Sequence, residues 1–202
     1  IAGARQQRLT LIMKTLILAS ASPRRAELLR WAGVDFEIDP AAIDESRLPG
    51  EDPTDLALRL SANKALAKAR EGRISLGADT MVFLGQQIFE KPADSNEAAA
   101  HLTALAGRSH QVVTAFALAR GSSLVHTQAV ISRVSFRPLS PGMIARYVET
   151  GEGLDKAGAY GLQGWGGFLV EEIEGSYTSV VGLPLSEVLA ALEKIKERPQ
   201  QS

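Results

Sequence analysis

One short stretch near the start constrains this chain more than any other feature. It is an apolar run that ends in small residues and passes directly into a helix start. Residues 16–19 are typical of a buried strand, and Ser22-Pro23 predicts a helix because a serine hydroxyl caps the first turn and proline suits the first helical position. Arg24 and Arg25 then occupy that turn, where the helix dipole disfavours cations unless an anion joins them. The stretch therefore predicts a phosphate site. Two solvated arginines on a surface helix are the alternative that the local sequence leaves open.

The composition argues against several classes of function. With 202 residues, the chain has the length of one domain or at most two small ones. A net charge of -1 argues against general binding to nucleic acid, so any anion site must be a local cluster of lysine and arginine. The chain has no cysteine, and therefore no disulfide and no thiolate, which fits a reducing compartment. It also has no run of about 18 apolar residues, so we expect no membrane span.

The first twelve residues are expected to lie outside the fold. Arg5 and Arg8 precede an apolar stretch in the manner of a signal peptide, but Lys14 divides that stretch, and cleavage would remove the strand before Ser22. We therefore predict an N-terminal extension over residues 1–12, with Met13 as the natural start. A single domain is expected over residues 13–202.

Helical and extended segments alternate along the chain without a strict βαβ order. Cap signals predict helix starts at Asp52-Pro53, Asp94 and Ser140-Pro141, and an apolar stripe predicts a last helix from Leu185. The predicted strands are residues 34–38, 73–78, 87–89, 112–119, 124–136 and 168–173, with residues 80–84 and 180–181 extended and Asp79 ending the strand 73–78. We expect an α/β fold with a mixed sheet.

Charged residues at the ends of these elements suggest a polyphosphate site. The cations are Arg24, Arg25, Lys64 and Lys91, with Lys156 as a fifth candidate, and the carboxylates are Glu45, Asp79 and Asp155. Lysine and arginine neutralise phosphate oxygens, and carboxylates hold Mg²⁺ or Mn²⁺, whose bound water can attack phosphorus. Asp79, after an apolar strand, is the best candidate for the general base or metal ligand. The alternative is that each of these residues forms an ordinary salt bridge.

The segment between residues 151 and 182 contains nine of the 18 glycines. Such a density lets the backbone approach a ligand closely. Trp165 within it is expected to pack rather than to stack on a base. The three histidines, His101, His110 and His126, show no metal-ligand spacing.

Five separated motifs resemble the Maf family of nucleoside triphosphate pyrophosphatases. They are residues 20–25 (SASPRR), 77–80 (GADT), 90–92 (EKP), 155–164 (DKAGAYGLQG), and 175–177 (GSY) with 181–185 (VGLPL). The likeness runs from about residue 16 to the last helix, and the intact SPRR and DKAGAYG-x-QG blocks are similar to the dTTP/UTP branch. One departure is Leu154, where the family's block has proline after glutamate and this chain has Glu152-Gly153-Leu154.

The resemblance implies metal-dependent hydrolysis of dTTP and UTP between the α and β phosphates, giving the monophosphate and pyrophosphate. It implies a twisted mixed sheet flanked by helices that form a two-lobed cleft, in a cytoplasmic homodimer. The implied site residues are Asp79 as proton acceptor, Glu45 and Asp79 at Mg²⁺ or Mn²⁺, Ser20, Arg24, Arg25, Lys64 and Lys91 at the phosphates, and Arg24, Thr80 and Gln163 in base choice. A pyrophosphatase for modified nucleotides and a non-catalytic regulator of cell division are the alternatives.

Overall fold

The structure, a computed structural model, describes residues 16–197. Within this range, seven strands form one mixed sheet in the order β2-β1-β3-β5-β6-β7, with β4 paired to β3. The strands are β1 (Leu16–Leu18), β2 (Phe36–Ile38), β3 (Ile74–Leu84), β4 (Gln87–Phe89), β5 (Ser109–Arg120), β6 (Ser123–Phe136) and β7 (Val170–Glu174). β1 runs parallel to β2 and β3, and every other pairing is antiparallel. The predicted α/β fold with a mixed sheet is confirmed.

Helices cover both faces of this sheet. They are α1 (Pro23–Trp31), α2 (Pro53–Ala67), α3 (Ser95–Leu105), α4 (Pro141–Glu149), α5 (Tyr177–Val181) and α6 (Leu185–Glu197), with 3₁₀ turns at Ala157–Ala159 and Trp165–Leu169. Three predicted helix starts are confirmed by their capping hydrogen bonds. The Asp52 and Asp94 carboxylates each accept two backbone N–H groups, and the Ser140 hydroxyl accepts the N–H of Met143.

The prediction that the Ser22 hydroxyl caps α1 is wrong, although the helix begins where it was expected. Ser22 has the extended backbone of a cap residue and Pro23 follows it, but the Ser22 hydroxyl makes no capping bond. Its N–H instead donates to Ser20 Oγ, 3.2 Å away. The N–H groups of the first turn of α1 are therefore not satisfied by a serine cap, which leaves them available to an anion.

Four other element predictions need correction. Asp79 does not end a strand, because β3 continues for eleven residues through it. Residues 180–181 are not extended but form the end of α5, which the hydroxyl of Ser176 caps by accepting the N–H of Ser179. The strand expected from residue 168 begins only at Val170, since a 3₁₀ turn precedes it. Likewise, the second strand is confined to Phe36–Ile38.

Two separate hydrophobic cores lie on one face of the central strands. The first includes Leu76, Ala78, Phe116 and Leu118 with residues of α1 and α6, and the second includes Val82, Val112, Val134 and Phe136 with residues of α3 and α4. Side chains alternate faces along a strand, so Thr80 and its cross-strand partner Thr114 lie between these two cores. This pair is a polar boundary between two apolar lobes.

The opposite face of the sheet packs against α2 through small residues. A Cβ added at Gly77 would lie 2.2 Å from the carbonyl oxygen of Ser61 and 2.5 Å from the backbone nitrogen of Ala65. Ala65 packs with Ala117 and Ala119 of β5. The helix backbone therefore rests almost directly on β3, two residues before Asp79.

Between residues 16 and 197, no helix is long and apolar enough to cross a membrane. The predicted extension over residues 1–12 lies outside the described residues.

Candidate active site

A gap in the sheet leaves one edge of the middle of β3 without a neighbouring strand. On the edge of β3 away from β5, β1 pairs with residues 74–76 and β4 pairs with residues 82–84. No described strand pairs with residues 77–81 on that edge. Asp79 and Thr80 lie beside this gap, which the ends of β1 and β4 define, and not at an end of β3.

Lys64 lies between two carboxylates on the α2 face of this gap. Its Nζ donates to Asp79 Oδ1 at 2.6 Å and lies 3.0 Å from Glu45 Oε1. Lys64 and Asp79 are buried, whereas the Glu45 side chain is half exposed. Among the described residues, Asp79 Oδ2 has no hydrogen-bond partner and is not among the fully buried unpaired atoms. The close approach of α2 at Gly77 thus positions a lysine against Asp79 and leaves one carboxylate oxygen free.

Arg25 holds together the other side of the gap. Its Nε donates to the carbonyl of Gly182 at 2.9 Å, one terminal nitrogen donates to Ser20 Oγ at 2.9 Å, and the other donates to Thr80 Oγ1 at 3.3 Å. Burial lowers the pKa of Arg25, and the negative charge of Asp79 partly opposes this. Arginine stays protonated at neutral pH, so Arg25 brings a fixed positive charge near Asp79.

Thr80 is the first hydroxyl of a short relay. Thr114, fully buried, donates to the carbonyl of Ser179 at 2.7 Å, and the Thr80 and Thr114 hydroxyls are 3.0 Å apart. The one hydroxyl proton of Thr114 is already donated to the Ser179 carbonyl. The Thr80 hydroxyl must therefore donate to Thr114 while it accepts a hydrogen bond from Arg25. Sequence reasoning missed Thr114, although it is the one polar residue in the run 112–119.

The third group joins the start of α1 to the glycine-rich segment. Arg24 lies 3.3 Å from Asp155 Oδ2, and Lys156 Nζ donates to Asp155 Oδ1 at 2.6 Å. Partial burial by itself raises the pKa of Asp155, but hydrogen bonds and charge from Lys156 and Arg24 outweigh it, so the pKa is lowered. Asp155 is therefore ionised at neutral pH and competes with any phosphate for Arg24.

Two predicted residues make no such contacts. Lys91 and Gln163 are exposed, and neither has a hydrogen bond or ion pair with another described residue. Trp165, expected to pack, is 71% exposed, so that expectation is wrong. The structure thus joins Glu45, Lys64 and Asp79 in one group, Ser20, Arg25 and Thr80 in a second, and Arg24 with Asp155 in a third.

The donor set suits a cation that arrives with its substrate. No group of three or more histidine, aspartate or glutamate side chains that could hold a metal ion occurs within residues 16–197. Asp79 and Glu45 supply two carboxylates at one lysine. Mg²⁺ commonly takes one or two carboxylates together with substrate phosphates and waters. Asp79 and Glu45 fit that arrangement.

Comparisons with known proteins agree with this geometry. A family model described as "Maf-like protein" matches residues 15–195. A dTTP/UTP pyrophosphatase of Geobacter sulfurreducens is 48% identical over 183 residues, which are 89% of this chain and 96% of that protein. One of Hyphomonas neptunium is 48% identical over 184 residues, 91% of this chain and 96% of that protein.

Among solved structures, a HAM1 protein from Coxiella burnetii aligns with a TM-score of 0.42 and 17% identity, over 60% of this chain and 72% of that one. The assignment does not depend on this weak likeness. It follows from the family model, which covers most of the chain, and from relatives that are nearly half identical over about nine tenths of it. This chain belongs to the Maf-like protein family.

Proposed function

We propose that this chain is a nucleoside triphosphate pyrophosphatase that hydrolyses dTTP and UTP to the monophosphate and pyrophosphate. One observation carries the proposal: a buried lysine lies between two carboxylates beside two arginines, in a gap of the sheet. The names of relatives that are 48% identical support the choice of substrate. A triphosphate needs cations for its oxygens and a base for the attacking water, and this site contains both.

Asp79 is the proposed proton acceptor. Lys64 fixes Oδ1 of Asp79. The free Oδ2 takes a proton from the water that attacks the α phosphorus, next to the oxygen that bridges it to the β phosphorus. The bond from that phosphorus to the bridging oxygen breaks, and pyrophosphate leaves. When the proton neutralises Asp79, Lys64 remains paired with Glu45, so its charge is not left without a counterion.

The phosphate oxygens are assigned to the cations and to the start of α1. Arg24, at the first turn of this helix, binds a phosphate in exchange for Asp155, and Arg25 keeps two unused N–H donors after its three hydrogen bonds. Ser20 lies at the same helix start, and the exposed Lys91 has no competing partner among the described residues. We assign all four to the phosphate chain, together with Lys64, whose Nζ also faces Asp79 and Glu45.

Asp79 and Glu45 would hold Mg²⁺ or Mn²⁺ together with the substrate phosphates. When bound, a divalent cation neutralises phosphate charge and makes a coordinated water more acidic. Because Lys64 donates to the same carboxylates, it keeps them oriented before the substrate arrives.

Base choice is assigned to Arg24, Thr80 and Gln163. The Gln163 amide offers one acceptor and two donors, which suit the two carbonyls and one N–H of a uracil or thymine edge. Thr80 acts indirectly, since its hydroxyl already bonds to Arg25 and Thr114.

The test is pyrophosphate release from dTTP, UTP, CTP, ATP and GTP with Mg²⁺ or Mn²⁺. We expect kcat/KM to be highest for dTTP and UTP and to fall to background in EDTA. Equal rates on all five would overturn the pyrimidine assignment. Release of inorganic phosphate instead of pyrophosphate would overturn the reaction. Faster hydrolysis of modified pyrimidine nucleotides would place the physiological substrate among them.

A homodimer, a cytoplasmic location and a single domain over residues 13–202 are further proposals, which rest on the resemblance. Light scattering coupled to gel filtration tests the first. A monomer at micromolar concentration would contradict it.

A further inference from the structure

The glycine-rich segment folds around the carboxylate of Glu152. Glu152 Oε1 accepts the hydroxyl of Tyr147 at 3.0 Å and the backbone N–H of Gly166 at 2.9 Å, and Oε2 accepts the N–H of Trp165 at 2.7 Å. Three donors thus converge on one side chain in a segment with little regular structure. Hydrogen bonds to a charged acceptor are stronger than those between neutral groups.

One glycine is needed because of this carboxylate, and two others are needed because of the close packing beside it. A Cβ at Gly164 would lie 2.3 Å from Glu152 Oε2, whereas one at Gly161 would lie 2.7 Å from Lys156 Cε and 3.1 Å from Glu152 Oε1. A Cβ at Gly166 would lie 2.3 Å from the carbonyl oxygen of Gly161 and 2.9 Å from the Tyr147 hydroxyl. Much of the local glycine density therefore allows the backbone to close around Glu152 and Tyr147.

Tyr147 ties this arrangement to a rigid element. It lies in α4, is fully buried, and its hydroxyl accepts the N–H of Gly161 at 3.0 Å while it donates to Glu152. Burial raises the pKa of Tyr147, so the phenol remains a donor at all physiological pH values. The segment is thereby fixed to α4 at Gly161 and, through Glu152, at Trp165 and Gly166.

Gln163 lies between these fixed points. On its N-terminal side, Leu162 packs against the first core, and on its C-terminal side Trp165 and Gly166 are bound to Glu152. Gln163 itself has no partner among the described residues, so its place depends on its neighbours.

The other end of the segment contacts only the main chain of Glu152. Lys156 Nζ donates to the carbonyl oxygen of Glu152 and to Asp155, and Asp155 pairs with Arg24. Any residue at position 152 supplies this carbonyl, so the Asp155–Arg24 pair does not depend on the Glu152 carboxylate.

We propose that Glu152 is a positioning residue that sets nucleobase preference by fixing the backbone on the C-terminal side of Gln163. The proposal rests on the dTTP/UTP activity proposed above. Glu152 touches neither base nor phosphate in this account. The Glu152 carboxylate acts through Trp165 and Gly166, so its loss changes how well the pyrimidine is bound more than how fast the bound substrate reacts.

The experiment is steady-state kinetics on dTTP, UTP, ATP and GTP for wild type, Glu152→Ala and Glu152→Gln. Glu149→Ala is the matched control, because Glu149 is exposed and has no partner among the described residues. We expect Glu152→Ala to raise KM for dTTP about tenfold, with kcat within about threefold, because three donors lose their acceptor. The dTTP-to-GTP ratio of kcat/KM falls with it. Glu152→Gln keeps one carbonyl acceptor and gives an intermediate value.

A spectroscopic signal reports the segment directly. The chain has two tryptophans, and Trp31→Phe leaves Trp165 as the one emitter. In that background, Glu152→Ala is expected to change the emission maximum and acrylamide quenching of Trp165, while Glu149→Ala leaves both unchanged. Tyr147→Phe removes one of the three hydrogen bonds to Glu152, and also the acceptor of the Gly161 N–H, at nearly constant volume, and it serves if Glu152→Ala does not fold. It is expected to shift the same quantities in the same direction.

Some outcomes overturn the proposal. An unchanged dTTP-to-GTP ratio in variants with lowered melting temperature would leave Glu152 with a structural role alone, and an equal fall of kcat on every nucleotide with unchanged KM would give it a role in the chemistry. If wild type hydrolyses no triphosphate, the proposed function fails. Trp165 emission then still tests whether Glu152 fixes the segment.

Discussion

Asp79 has two different oxygen environments. Oδ1 is held by Lys64, and Oδ2 has no partner among the described residues. Asp79→Asn preserves the shape but removes both the charge and the ability to accept a proton. We expect kcat on dTTP to fall by about 10²-fold or more, as for the loss of a general base. The unfolding midpoint in urea should change little.

Asp35→Asn is the control for that substitution, because Asp35 is exposed and has no partner among the described residues. It should retain wild-type turnover. Turnover near that of wild type in Asp79→Asn would remove Asp79 from the chemistry.

The sequence indicated the charged members of this site but not their arrangement. Glu45, Lys64 and Asp79 were candidates because of their chemistry and their places at element ends, and the structure brings them into contact. Thr114 and Glu152 were not candidates. A neutral hydroxyl within a buried strand and a glutamate among glycines become informative only when their partners, which are mostly backbone atoms, are known.

At the scale of elements, the contact of α2 with β3 at Gly77 positions Lys64. Gly77→Ala would place a methyl group against backbone atoms of Ser61 and Ala65, which cannot rotate away. We expect a loss of unfolding free energy of about 1–3 kcal/mol, and a lower kcat as α2 moves away from Asp79. Urea denaturation and steady-state kinetics measure the two effects.

Gly142→Ala is the matched control. Gly142 lies in α4, and a Cβ there would meet nothing within 4 Å. It should be neutral or should stabilise the protein by up to about 1 kcal/mol, since alanine is the better helix former. If Gly77→Ala behaved like this control, the tight α2–β3 contact would be wrong.

His110 makes stability depend on pH at the other end of β5. Burial lowers the pKa of His110 to about 4, and its Nε2 lies 2.9 Å from the Tyr160 hydroxyl. The unfolded chain takes up a proton near pH 6.5, the native chain only near pH 4, so stability falls as pH drops between these values. The loss of unfolding free energy attributable to His110 reaches about 3 kcal/mol at pH 4 and is absent above pH 7.

His110→Gln keeps a side chain that can bond to Tyr160 but does not titrate. We expect the difference in unfolding free energy between wild type and this variant to change steadily between pH 6.5 and 4. Urea titrations at pH 7.5, 6 and 5 measure it, and His101 and His126 are common to both proteins. A constant difference would show that His110 is not the titrating group.

Helix starts were predicted well because their signal is local. A capping side chain and the N–H groups it binds lie within three residues, as at Asp52, Asp94 and Ser140. The strand end expected at Asp79 failed for the opposite reason. The gap in strand pairing beside Asp79 depends on where β1 stops and β4 begins, and neither boundary can be inferred from β3 itself. Residues 180–181 are apolar and β-branched, so their propensity favours a strand. They are nevertheless helical, because the Ser176 side chain caps a short helix that includes them.

For the whole molecule, the division of the sheet face opposite α2 into two apolar cores helps to determine where the site can be. The cores meet at Thr80 and Thr114, and side chains from both lobes reach this boundary. Arg25 and Gly182 approach from the first lobe, whereas the segment around Glu152 is anchored in the second and touches the first at Leu162. A ligand in the gap contacts both lobes and is expected to stabilise the protein as a whole.

The last prediction concerns the order in which metal and nucleotide bind. Described residues contain no group of three metal-binding side chains, and the two candidate carboxylates already share Lys64. Mg²⁺ alone should therefore bind weakly and leave the melting temperature within about 1 °C of its value in EDTA. A dUTP analogue with nitrogen at the α–β bridge should bind together with Mg²⁺. At 100 times its Kd, it should add about 2.7 kcal/mol to the unfolding free energy, which raises the melting temperature by roughly 5–10 °C for a chain of this size.

The analogue in EDTA separates the contribution of the metal, because the phosphate contacts proposed for Arg24, Arg25 and Lys91 need no cation. The rise in melting temperature with the analogue should be smaller in EDTA than with Mg²⁺. Glu45→Gln should lose most of this difference between the two conditions, whereas Glu149→Gln should retain it. Glu149 is a suitable control since it carries the same charge but is exposed and has no partner among the described residues. A full shift with Mg²⁺ alone would mean that the protein holds a complete metal site before substrate arrives. An unchanged metal increment in Glu45→Gln would remove Glu45 from the cation's ligands and leave Asp79 as the one carboxylate that joins metal, lysine and water.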